Sequence, residues 1–199
     1  MKINDNLDII LDIRSDEEGK PTLRLFHTPI TRDVFELNYR LLSSVFSELW
    51  GQGSFHAMSA GPRIASMVLK DIAKRQSDLS PEEYDDQNNP AVSFLNELKR
   101  LTMILAPGPS GWEKIPIQSA ISKGIIDPEE WQEAESSLVF FTSAFHLARR
   151  SERESRTRIL LGLLKGQSAS SDSTEQTASL PTSTETGTSA KRVTSSVPY

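Results

Sequence analysis

One stretch constrains the chain more than any other: residues 111–149, GWEKIPIQSAISKGIIDPEEWQEAESSLVFFTSAFHLAR, because both the start and the breadth of a long helix can be read in it. Asp127 can cap the orphan N–H groups of a first turn, Pro128 fits that turn, and acids there such as Glu130 oppose the positive end of the helix dipole. Trp131, Ala134, Leu138, Phe141, Phe145 and Ala148 then recur at alternating spacings of three and four, and Val139, Phe140 and Leu147 widen the stripe in the second half. A helix apolar nearly all round is either wrapped by its own domain or keeps one face for another chain.

The rest of the chain limits what that domain can be. At 199 residues, with 37% apolar and 25% charged side chains, it has the size and composition of one ordinary soluble domain with an appendage. A net charge of −5 disfavours general polyanion binding, and the absence of cysteine excludes disulfides and thiolate chemistry. The amino-terminal MKINDNLDIILDIR has acids inside its apolar run and does not read as a signal peptide, and no apolar run reaches membrane-spanning length. A cytoplasmic protein is expected.

Alternation in LDIILDIR puts Leu7, Ile9, Leu11 and Ile13 on one side, and TLRLFHT resumes it after the turn residues Gly19 and Pro21, so residues 7–14 and 22–28 are expected as a hairpin. Thr31 should cap a helix running to Gly51, with Phe35, Tyr39, Leu42, Phe46 and Leu49 as its main stripe and Val34, Leu37, Leu41 and Val45 as a second. Residues 51–61 read as a flexible connection, Pro62 as the opening of a helix to about Gln76, and residues 77–89 as an acidic exposed loop. Pro90 should start a helix carrying Val92, Leu95, Leu98, Leu101 and Leu105, ended by the APGPSG run. A short helix over 117–123, stopped by Gly124, and a helix continuing or restarting after Arg149 to about Leu164 complete the pattern. From Gly166 to the end, 16 of 34 residues are Ser or Thr and large aliphatics are limited to Leu180, Val193 and Val197. Such a segment cannot bury enough apolar surface to offset about 1–2 kcal/mol of backbone entropy per residue. The expected fold is therefore mainly α: a compact helical domain over 1–165 with an N-terminal β-hairpin, then a disordered Ser/Thr-rich tail over 166–199.

No constellation for catalysis, cofactor binding or metal binding stands out. His27, His56 and His146 belong to no ligand set, and a structural or surface role is expected of each. GQGS at 51–54 lacks the frames of a phosphate loop or a nucleophile elbow and reads as a helix-terminating linker. Glu82, Glu83, Asp85 and Asp86 lack the glycine and spaced oxygens of a calcium loop. Arg149, Arg150, Arg153, Arg156 and Arg158 form the one basic cluster, diluted by Glu152 and Glu154 and without an aromatic platform, so a solvated helix face is expected there rather than a nucleic-acid site.

Several stretches together carry a likeness: TPITRDVFELNYRLLSSVFSELW, AGPRIASMVLKDIA, the run from ELKRLTMILAPGPSGWEKIP through DPEEWQEAESSLVFFTSAF, and the terminal ASLPTSTETGTSA with SSVP. These resemble the tail assembly chaperones of long-tailed bacteriophages, through a GPR motif, a GW before an apolar Pro-containing segment, an acidic helix start and an LVFFT run. The resemblance implies a nonenzymatic assembly factor, without cofactors, made in the host cytoplasm and absent from the mature virion. It implies binding to the aggregation-prone, helical tape measure protein and promotion of tail tube protein polymerisation around it. A client helix needs an apolar groove, and the expected partner-binding residues are Phe140, Phe141 and Phe145 on the long helix with Phe35, Leu42 and Phe46 on the first, with several copies acting together. The alternative reading is a small nucleic-acid-binding regulator using the arginine cluster.

Overall fold

The computed structural model describes residues 7–77, 89–109, 111–149, 151–164 and 166–170. Along the chain these form β1 (Leu7–Ser15), β2 (Pro21–His27), α1 (Arg32–Gly51), α2 (Ser54–Gln76), α3 (Pro90–Arg100), β3 (Thr102–Gly108), β4 (Gly111–Pro116), α4 (Ile117–Ser122), α5 (Pro128–His146), α6 (Arg153–Leu163) and β5 (Gly166–Ser170). The fold is mixed α/β rather than mainly α, with an antiparallel sheet ordered β4-β3-β2-β1-β5 beside the helices.

The expected hairpin is the centre of that sheet. β1 and β2 pair with Leu11 opposite Leu25 and Ile9 opposite His27, and a bulge between Asp12 and Arg14 shifts the register near the turn. Ile9, Leu11, Leu23, Leu25 and Ile104 point into the main core with the helices. On the opposite face Ile10 pairs with Phe26 and Phe26 with Met103, and the side chains of Arg24 and Lys114 reach over the Trp112 and Phe26 rings at 5.6 and 4.2 Å.

Two segments expected otherwise supply the flanking strands. The helix expected to carry Leu101 and Leu105 ends at Arg100, and the described residues of the APGPSG run belong to the β3–β4 pair rather than ending a helix. A two-stranded hairpin is marginal in water, so the open edge of β2 takes up Thr102–Gly108, whose apolar run suits a buried strand as well as a helix. The Thr102 hydroxyl, donating to the Leu98 carbonyl at 2.6 Å, marks the change of structure, and Gly111, at φ +118, begins the returning strand. On that outer strand Glu113 and Lys114, with Pro116 at its end, discourage further pairing. At the other edge, β5 lies beside β1, with Leu11 opposite Gly166 and Leu7 opposite Ser170. The tail expectation thus fails for residues 166–170, and residues 171–199 lie outside the described residues, as does most of the acidic loop expected over 77–89.

Local signals held well where the cause is local. Asp127 accepts from the Glu130 amide and the Glu130 carboxylate accepts from the Asp127 amide, a complete capping box. Glu130 also takes a bidentate pair of bonds from Arg14 of β1, at 2.7 and 2.8 Å, which ties the start of α5 to the sheet. Thr31 caps α1. α2, by contrast, starts at Ser54, eight residues before Pro62, so the expected flexible connection is mostly helix. That first part of α2 is held by tertiary packing. Gly61 lies so close to α5 that an added Cβ would sit 2.6 Å from the Phe140 ring, and Ser66 and Ser136 hydroxyls meet at 2.5 Å.

Candidate partner-binding surface

Four of the six residues expected to form a groove lie inside the molecule. Every residue from Leu138 to Phe145 is buried, so two full turns of α5 have no wet side. Phe140 is 0% and Phe141 1% exposed, Leu42 is 0% and Phe145 8%, while Phe35 and Phe46 are half-buried against the same core. The breadth of the α5 stripe is core packing, and Phe140, Phe141, Phe145 and Leu42 offer no open surface in this fold.

Structure nevertheless brings these residues together in two aromatic groups between α1 and α5. Phe46 stacks on Trp50 at 5.5 Å and Trp50 on Phe140 at 6.2 Å. Phe141 stacks on Phe145 at 5.4 Å, Phe145 meets His146 edge-on at 5.0 Å, and His146 stacks on Phe35 at 5.1 Å. The first group runs from the half-buried Phe46 and Trp50 to the buried Phe140; the second reaches the end of α5.

Around that second group lie polar residues that sequence patterning did not single out. His27 is fully buried on β2, and its Nδ1–H donates to the Thr102 hydroxyl at 2.9 Å, since that hydroxyl gives its own proton to Leu98. The His27 Nε2 is left without a partner, as is the His146 Nε2. Burial pushes the His27 imidazole down to about 3, with His146 adding repulsion, and burial with the nearby Arg153 pushes His146 down to about 4. Both histidines are therefore neutral at pH 7. On the far side of α5, the buried Glu135 carboxylate sits between Lys70 of α2 at 4.0 Å and Lys99 of α3 at 3.8 Å, a three-helix ionic junction. The missed signal for Glu135 was its neighbour spacing: one acid on the inner side of an otherwise apolar helix needs a paired cation.

Two members of the arginine cluster are engaged locally, and Arg150 lies outside the described residues. Arg153 lies 5.4 Å over the Phe145 ring and donates to the Ala148 carbonyl, and Arg156 pairs with Glu152 at 3.2 Å. Arg149 and Arg158 are exposed. Among the described residues, no group of three or more His, Asp or Glu side chains is placed to hold a metal ion, and no helix is long and apolar enough to cross a membrane. The acids at 82–86 lie outside the described residues. Large exposed apolar side chains are scattered: Leu37 at 85%, Phe55 at 88%, Met67 at 57% and Ile159 at 56%. A shallow depression lined by Tyr39, Arg40, Ser43, Ser44 and Gln76 is open to solvent. Comparison with known protein families, curated proteins and solved structures gives no match.

Proposed function

We propose that the protein is a nonenzymatic tail assembly chaperone of a long-tailed bacteriophage, which binds and solubilises the tape measure protein and promotes polymerisation of the tail tube protein. The observation that carries this reading is the resemblance of the runs from TPITRDVFELNYR to LVFFTSAF, which covers most of the chain. On this reading the protein acts in the host cytoplasm, in several copies, and is absent from the mature virion. A helical client suits a body whose apolar residues are carried on long amphipathic helices. With Phe140, Phe141, Phe145 and Leu42 closed in the core, client contact falls to the half-buried Phe35 and Phe46. The nucleic-acid reading is the weaker one, because Glu152 and the Phe145 ring already engage Arg156 and Arg153.

Co-expression with the tape measure protein tests the proposal. The client should stay soluble and co-purify with the folded chaperone, whereas a client that aggregates equally with and without it would remove the proposal. Tight, salt-resistant binding of a defined DNA or RNA sequence would favour the alternative.

A further inference from the structure

We propose that the outer face of the sheet is a docking surface for this chain's own C-terminal segment, with Leu180 as the anchor seated over Ile10, Met103 and Leu105. That face is a second apolar layer. Ile10, Phe26 and Met103 form one row across β1, β2 and β3, and Asp12, Arg24, Leu105 and Lys114 form the next row across β1 to β4. Ile10 and Leu105 are buried, Phe26, Met103 and Trp112 are half-buried, and none of the five belongs to the core shared with the helices. Two of the polar groups on this face are satisfied locally: Arg24 pairs with Asp12 at 2.7 Å, and Asp8 accepts from the Thr28 hydroxyl at 2.8 Å. Lys114 lies over the Phe26 ring at 4.2 Å, is exposed, and has no carboxylate partner among the described residues.

The topology and the composition of the segment choose the occupant. β5 runs antiparallel to β1, with Gln167 beside Ile10 and Ala169 beside Asp8 in the same outer rows, so the chain leaves the sheet after Ser170 at a corner of this face. Between residues 171 and 192 Leu180 is the one large apolar side chain, in a stretch that holds Asp172, Glu175 and Glu185 and no cation before Lys191. That composition complements the face: one aliphatic group for its apolar rows, and carboxylates for the exposed Lys114. Length suffices as well. The chain from Ser170 to Leu180 can span about 33 Å when extended, whereas β5 and β3 are three strand spacings apart, about 14 Å. A tether that short gives an effective concentration on the order of millimolar, so a single-leucine contact too weak to form between molecules is populated within one.

This inference does not depend on the chaperone reading and is tested on the full-length protein, whose lack of cysteine allows one chosen label site. In Ser183→Cys carrying a nitroxide, the amide signals of Ile10, Phe26, Met103 and Leu105 should lose at least half their NMR intensity, recovered when the label is reduced. Amides of Phe55 and Met67 on α2 should keep theirs. Adding Leu180→Asp to the same chain should restore the sheet signals at least twofold, with the helix amides unmoved in the spectrum. A mixture of nitroxide-bearing protein with isotope-labelled protein that lacks the cysteine should show no broadening. The proposal is overturned if sheet and helix amides broaden equally, or if Leu180→Asp leaves the pattern as it was. It is equally overturned if the broadening appears in the mixture, which would assign the face to a second copy of the chain.

Discussion

α5 and α6 are consecutive helices with opposite relations to the same core. α5 begins with a complete capping box and a proline at its first position, carries two acids in its first turn, and has 12 of its 19 residues buried. α6 begins with an uncapped Glu152 and buries one narrow stripe. The difference teaches that breadth of an apolar stripe measures how many neighbours a helix has, not whether it offers a surface. α5 touches α1, α2, α3 and α6, so its breadth is consumed internally.

The largest expected effect tests whether α5 is indeed wrapped. Phe140→Asp and Phe141→Asp should each unfold the domain, since truncating a core Phe alone costs about 3–5 kcal/mol and a buried unpaired charge costs more. A cooperative thermal melt retained at pH 7 in either variant would break the comparison.

Acid should act next most strongly, at the junction between the two helices and at the sheet. His27 and His146 are held neutral with values of about 3 and about 4, below the ordinary 6.5. The unfolded chain therefore binds more protons as pH falls below 6.5, and stability should fall with it until the folded values are reached. Each histidine contributes a slope of about 1.4 kcal/mol per pH unit in that window. Urea melts at pH 7 and pH 5 measure the loss, which should shrink by roughly half in His146→Phe, a change that keeps a ring on Phe35 but cannot take a proton. An unchanged pH dependence in that variant would mean that His146 is not held neutral by the fold.

A smaller effect sharpens the account of the α2–α5 contact. Gly61→Ala drives a methyl group into the Phe140 ring and should cost about 1–3 kcal/mol, read as a shift of the denaturation midpoint. Phe140→Leu in the same background should recover part of the loss by clearing the space. The smallest effect is expected at the scattered surface residues: Leu37→Ser and Phe55→Ser should change stability by no more than about 0.5 kcal/mol. A drop of several degrees at either would reveal packing that their exposure does not.

How much could be read beforehand varied with the range of the cause. The caps at Thr31 and Asp127, the stop before Gly124 and the β1–β2 alternation depend on neighbours within a few residues, and all appear where expected. Leu101 and Leu105 fit the spacing of a helix, yet Thr102–Gly108 is a strand because β2 offered an edge and its side chains fill the sheet core. Nothing local distinguishes those outcomes. Similarly, Gly166–Ser170 is too poor in apolar residues to fold alone and is ordered by backbone pairing to β1. The candidate docking residues were read correctly as apolar and helical, but their exposure depended on how many elements surround α5.

By itself, then, the sequence determined where the caps and turns fall, that α1 and α5 are broad apolar helices, and that thiol chemistry is absent, because these follow from residue type and short-range spacing. Only the tertiary structure decided that Phe140 and Phe141 are both interior, that Thr102–Gly108 pairs with Gly111–Pro116 as a hairpin, and that His27 is fully buried on β2 while His146 stacks on Phe35. Burial and strand pairing are made by residues far apart in the chain, and a spacing of three or four positions carries no information about what lies across the gap.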